Sequence, residues 1–211
     1  MANDYCTTTE AKAAFPDTSW STTYDTLFGL LATRVSREID RFTGRHPGAY
    51  YVTTDSTRYF TGSGDLRLAV GELSTAPTTV SMALSGVVDN SAGTGGTYTD
   101  LSASDYLLYP YNAADFGRPY QVLEMDLING SYAAWYSYPK AIKIVGKFGY
   151  STAIPDEVKQ ATITQVFRWF KRSQQAFTDS GVNVDLGEMV YRKALDPEVT
   201  LMIEHLRRQA I

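Results

Sequence analysis

"KFGYSTAIPDEVKQA", Lys147 to Ala161, is where the chain changes its hydrophobic period. To its left, Ile142, Ile144 and Phe148 alternate with Lys143 and Lys147, the two-residue repeat of a strand with one buried and one wet face. To its right, Ile163, Val166, Phe167 and Phe170 recur at helical spacing, and Val158 and Trp169 widen the stripe. Gly149 offers the strand a turn. Pro155 suits a first helical position, where its missing N–H costs nothing, and Asp156 and Glu157 suit the positive end of a helix. The stretch therefore predicts a seam between a β-rich block and a helical one.

Leftward from the seam, the period of two extends back to Tyr50. Candidate strands are Tyr50–Thr53, Arg58–Thr61, Leu66–Val70, Thr79–Leu84, Tyr98–Leu101, Tyr106–Tyr109, Gln121–Leu127 and Ala141–Phe148. Turn signals part them: "GSGD" at 62–65, "DNSAGTGG" at 89–96, Pro110, and "NG" at 129–130. Several short strands at this spacing predict an antiparallel sandwich or small barrel over 50–150. The 89–96 stretch reads as a projecting tip or flexible loop.

Before Tyr50 the chain is helical. Thr7 with Glu10 has capping-box spacing at the head of a short helix that Pro16 ends. A second helix spans 23–43. Its stripe is Tyr24, Leu27, Phe28, Leu31, Val35, Ile39 and Phe42, with Thr22 and Asp25 at its start and Gly44 as its C-terminal cap. Beyond the seam come a helix over 155–177, a weakly patterned stretch at 178–190 that reads as a loop, and a helix over 197–209. Asp196 caps that last helix, Pro197 opens it, and Arg207 and Arg208 sit at its end. The stripes of the three longer helices need apolar partners, and the simplest are one another. The reading is an α+β chain: a small helical bundle from 1–49 and 151–211, interrupted by an inserted β-domain at 50–150.

Composition narrows the chemistry. The single cysteine, Cys6, allows no intramolecular disulfide framework and no cysteine-based metal site. The two histidines, His46 and His205, read as surface or capping residues rather than metal ligands. No segment reaches the ~18 apolar residues of a membrane span, and the N-terminus lacks the pattern of a secretory signal, so a soluble chain made in the cytoplasm is expected. The net charge of −4 is spread as −1 over 1–49, −3 over 50–150 and zero over 151–211. No segment is basic enough to grip DNA.

No nucleotide-binding, nucleophile-elbow or zinc-hydrolase motif is present. Three weaker signals have structural explanations beside the functional ones. Glu124 and Asp126, two apart, have the spacing of a glycosidase acid pair, or of a solvated sheet face. Asp185 and Glu188 could serve calcium with loop carbonyls, but nothing around them resembles an EF-hand. "YAAWYSYP" at 132–139 suits a sugar-stacking platform, and equally a core or an interface. No catalytic, cofactor or metal residue is assigned. The alternative function carried by the aromatics is a carbohydrate-binding β-sandwich module on a virion or cell surface.

Three stretches carry a family likeness: "SREIDRFTGRHPGAYY" at 36–51, "YTDLSASDYLLYPYN" at 98–112 and "VGKFGYSTAIPDEVKQA" at 145–161. Together with the order of elements, they resemble the head–tail adaptor (connector) proteins of long-tailed bacteriophages, across about residues 20 to 175. The resemblance implies a non-enzymatic structural protein of the virion neck, without cofactor. Its copies would form a ring, usually dodecameric, below the portal protein. The ring would extend the channel through which DNA passes unbound, and would offer a docking surface to the stopper or tail-completion protein. The C-terminal helix, with Val199, Met202, Ile203, Leu206, Arg207 and Arg208, is the expected portal contact. The loop holding Asn90, Gly93, Gly95 and Gly96 is the expected contact with a neighbouring ring component.

Overall fold

In the computed structural model, residues 3–14, 22–84, 97–174, 180–183, 187–190 and 195–208 are described below. The chain divides into two compact units, one of Met1–Tyr51 with Ile154–Ile211, the other of Val52–Ala153. It is an α+β fold.

The first unit is helical. Helix α1 (Thr8–Ala13) begins with the expected capping box, in which Thr7 and Glu10 satisfy each other's backbone N–H groups. Helix α2 (Asp25–Thr43) follows a single 3-10 turn at Thr22–Tyr24, so the helical segment starts where Thr22 and Asp25 mark it, although no side chain caps α2. At its end, Gly44 takes φ 71°, and Gly44 and Arg45 donate to the last carbonyls, an arrangement that favours glycine. Helix α3 (Asp156–Gln174) packs on α2, with Phe28 stacked on Phe170 at 4.5 Å. Burying such a ring contributes about 1.5–3 kcal/mol. Helix α4 (Pro197–Ile203) packs on α3 and is capped by Asp196, whose carboxylate accepts from the Glu198 N–H.

The buried side of α2 is rotated from the expected stripe. Phe28, Val35 and Ile39 are buried as expected, but their companions are Gly29, Ala32, Ser36, Asp40 and Thr43, while Tyr24 stands outside at 38% exposure. Small residues let neighbouring segments approach closely, so they occupy the seam, and the larger Leu27, Leu31 and Phe42 flank it, half-buried.

Three expectations in this unit need correction. The stretch 178–190 contains a hairpin rather than a loop, with β8 (Ser180–Asn183) antiparallel to β9 (Gly187–Val190); these strands are numbered after the seven of the second unit. The C-terminal helix is shorter than 197–209: α4 ends at Ile203, a 3-10 turn covers Glu204–Leu206, and Arg207 is extended. Pro155 lies just outside α3, its carbonyl accepting the Lys159 N–H, which makes it a cap position rather than a first-turn residue.

The second unit is a β-sandwich. Strands β1 (Ser56–Phe60), β7 (Ile142–Gly146), β3 (Thr79–Met82) and β4 (Thr99–Asp100) form one sheet in that order. Strands β2 (Arg67–Leu73), β6 (Tyr120–Met125) and β5 (Tyr106–Tyr109) form the other. Among the described residues every pairing is antiparallel, and the two sheets do not close into a barrel. The core lies between the sheets, with Val80, Met82, Ile142 and Ile144 from one meeting Leu68, Val70, Leu123 and Met125 from the other. These are the alternating residues of the sequence pattern.

Tyr50–Thr53, expected as a first strand, is none. Tyr50 closes a turn in the helical unit, fully buried, with Arg45 donating to its hydroxyl at 2.7 Å. Val52 instead donates to the Ser151 carbonyl at 2.9 Å, joining the two ends of the β unit. At the "NG" turn, Gly130 donates to the Asp126 carbonyl at 2.9 Å, and a Cβ there would sit 2.5 Å from that oxygen, so only glycine fits.

Candidate interaction surfaces

The residues expected to meet a portal divide into two groups. Val199 and Ile203 are fully buried and Leu206 is nearly so, all within the helical unit. Met202 is half-buried, and Arg207 and Arg208 are exposed. The segment after α4 is tied down: Arg45 donates to the Leu206 carbonyl, the Arg208 N–H to the Thr43 carbonyl at 2.9 Å, and the Arg207 guanidinium stands 5.4 Å from the Phe42 ring centre. Arg168 pairs with both Asp196 and Glu198, clamping the head of α4 to α3. The outward side of α4 carries Leu201, 72% exposed. Asn90, Gly93, Gly95 and Gly96 lie outside the described residues.

A polar cluster that the sequence did not announce sits in the helical unit. Tyr5 donates its hydroxyl to Asp40 and its N–H to Ser36 at 3.0 Å. The other Asp40 oxygen takes the Gly48 N–H at 3.0 Å and pairs with Arg37 at 3.0 Å. The Tyr5 and Tyr50 rings meet edge to face at 5.5 Å. Burial raises the Asp40 carboxyl above its ordinary range, against the pull of Tyr5, Gly48 and Arg37. Burial, and then the Asp40 charge, also raise the Tyr5 phenol. The cluster is a clasp: every charge in it is met by a partner, and it fastens residues 3–7 and 46–50 to α2. Cys6 beside it is buried, and desolvation pushes its thiol up to about 12, an inert state.

Two of the three weaker signals fall on described side chains, and those side chains hold structural contacts. Glu124 pairs with Arg67 at 3.2 Å and takes the Tyr111 hydroxyl at 3.3 Å. Asp126 lies past the end of β6 and ties a turn, accepting from Ile128 and Asn129; the Asn129 side chain is the main cause of its lowered pKa. The two carboxylates thus hold different structural elements. In "YAAWYSYP", Trp135 is fully buried and donates to the Leu66 carbonyl, and Tyr132 and Tyr136 pack on the core. His46 is exposed, and His205 stands 3.4 Å from Glu157 at the surface. Asp185 and the Glu188 side chain lie outside the described residues. Among the described residues, no group of three or more His, Cys, Asp or Glu is placed to hold a metal ion.

Exposed apolar side chains of the β unit include Leu127 and Ile128 in the turn after β6, Tyr59 on β1, and a group on and after β5. Leu107 and Tyr109 project from the outer face of the three-stranded sheet. Tyr111 meets Tyr109 edge to face at 5.4 Å and is 59% exposed, and Phe116 in the following loop is 73% exposed. Residue typing alone did not isolate this patch, because tyrosines and leucines of the same strands also build the core.

With both units described, the chain can be compared with known proteins. The fold has a full-length counterpart. A chain of the neck of an empty GTA particle, in a structure computed with C6 symmetry, matches with a TM-score of 0.59 at 13% identity, covering 100% of this chain and 94% of that one. Two further chains match more loosely. One, from the neck of a native GTA particle computed with C12 symmetry, has TM-score 0.46, 14% identity and coverage of 100% and 97%. The other, from the virion of a native gene transfer agent particle, has TM-score 0.49, 16% identity and coverage of 98% and 91%. No protein-family profile and no curated protein sequence matches the chain.

Proposed function

We propose that this protein is a structural component of a virion neck, a head-to-tail adaptor whose copies form a ring below the portal protein. The observation that carries the reading is the end-to-end likeness in fold to a neck chain, which covers the whole of this chain, its helical unit and its β unit alike. The sequence resemblance at both helix–sheet boundaries points the same way. In this reading the protein acts by contact and not by catalysis. The helical unit meets the portal, through the outer side of α4 with Leu201, Arg207 and Arg208. A second face receives the stopper or tail. A chain of net charge −4 without a basic segment lines a channel along which DNA slides without being held.

The test is to mix the purified protein with portal-bearing, DNA-filled heads and image the neck by cryo-electron microscopy. A ring of added density below the portal is expected. Heads that stay bare while the protein stays monomeric would overturn the proposal.

A further inference from the structure

The turn after β6 holds the one Asn-Gly step in the sequence, Asn129–Gly130. Asn-Gly is the step at which a polypeptide most readily modifies itself, because glycine has no side chain to keep its nitrogen away from the preceding amide. The Gly130 nitrogen gives up its proton and bonds to the side-chain carbonyl carbon of Asn129, and Nδ2 leaves as ammonia. Water then opens the resulting succinimide at either carbonyl. One opening leaves aspartate. The other leaves isoaspartate, whose main chain runs through the side chain and is one methylene longer.

The reaction needs the Gly130 N–H open to a base and the Asn129 amide free to swing towards it. Both are engaged elsewhere. The Gly130 N–H donates to the Asp126 carbonyl at 2.9 Å. The Asn129 Nδ2 donates to Asp126 Oδ2 at 2.8 Å. A carboxylate only accepts, so it fixes the amide in place and in orientation. The other carboxylate oxygen takes the Ile128 and Asn129 N–H groups at 2.8 and 3.1 Å. These bonds hold the Asp126 carboxyl below its ordinary range, so it stays charged at neutral pH and disfavours a second negative charge on the neighbouring backbone.

The surroundings do not accommodate the product. Asp105 accepts the Asp126 N–H on its carbonyl at 3.0 Å and the Ser131 N–H on its carboxylate at 2.8 Å. Gly130 lies against it, where a Cβ would stand 2.9 Å from the Asp105 Cα. An added methylene meets that wall. Either product also sets a second carboxylate beside Asp126.

We propose that Asn129–Gly130 is a masked deamidation site and that Asp126 is its guard, keeping amide and nitrogen apart for as long as the β unit is folded. The proposal is independent of the adaptor reading.

The test follows conversion of Asn129 in the full chain by tandem mass spectrometry during incubation at neutral pH. Asn112, which precedes Ala113, serves as a second site in the same unit. Asp126→Ser and Asp126→Thr each keep one oxygen for the backbone donors and lose the one that takes the Asn129 amide. The wild-type chain is expected to convert at Asn129 in guanidinium and about tenfold more slowly when folded, and the folded variants are expected to regain most of that factor while Asn112 keeps its wild-type rate. Folded wild-type protein converting as fast as the unfolded chain would overturn the masking. Variants that convert at the wild-type rate would overturn the role of Asp126. Acceleration of Asn129 and Asn112 together would show a general loosening of the unit and overturn a specific guard.

Discussion

At the scale of single residues, two carboxylates with opposite displacements matter most. Glu10 is held down to about 2, first by its hydrogen bond from Lys159 at 2.8 Å and then by the Thr7 backbone. A depressed carboxylate stabilises the fold above its unfolded pKa, and that contribution disappears as pH falls from about 4.5 towards 2. Glu10→Gln is therefore expected to flatten the acid limb of a urea-melt stability profile in that window. The effect is small, about 0.5 kcal/mol, because the pair is partly solvated. Asp40 is displaced upward, so folding favours its proton, and its contribution to stability declines as pH rises through the carboxylate range. Its phenol partner is the sharper probe. Tyr5→Phe leaves a buried charge short of one donor and is expected to cost about 1–3 kcal/mol, read as a lowered denaturation midpoint. Of this cluster the sequence showed little. Ser36 and Asp40 stand one helical turn apart beside Val35 and Ile39, but a polar residue on an apolar face announces no partner until the N-terminal strand of chain carrying Tyr5 is laid across it.

At the scale of elements, the sequence was most legible where one face is wet. The alternation in β2, β3, β6 and β7 marked the core residues directly, because each strand presents one side to the other sheet. In helix α2 the buried side is turned from the apolar stripe, since periodicity rewards large apolar residues and close packing rewards small ones. The hairpin of β8 and β9 was missed because its strands carry no alternating pattern. Helix α4 illustrates why a stripe alone cannot assign a docking role: Val199 and Ile203 are as buried as any core residue. Ile203→Ala is expected to cost about 2–4 kcal/mol by leaving a cavity. Leu201→Asp, on the exposed side, is expected to leave the melting temperature within a degree or two and to abolish sedimentation of the protein with portal-bearing heads. Retained binding by Leu201→Asp would remove the outer side of α4 from the portal contact.

At the scale of the whole molecule, the two units are expected to fold separately. The β unit, about a hundred residues with a core of its own, is large enough for an independent transition. A fragment of residues 52–153 is expected to unfold cooperatively in urea, with β-type circular dichroism and dispersed amide resonances. A fragment that stays collapsed without cooperative unfolding would show that the helical unit is needed to complete it. The proposed function draws on this scale and on the sequence stretches at the two helix–sheet boundaries. The order of helix, sheet and helix carried the likeness together with the stretches at 36–51, 98–112 and 145–161.

The hydrogen bond from Val52 to Ser151 gives the chain one last property. It fastens the two ends of the β unit side by side, so the helical unit sees the whole block as a single short interruption. A block attached in this way is a cartridge. A fluorescent or affinity module with neighbouring termini is therefore expected to be graftable at the same point.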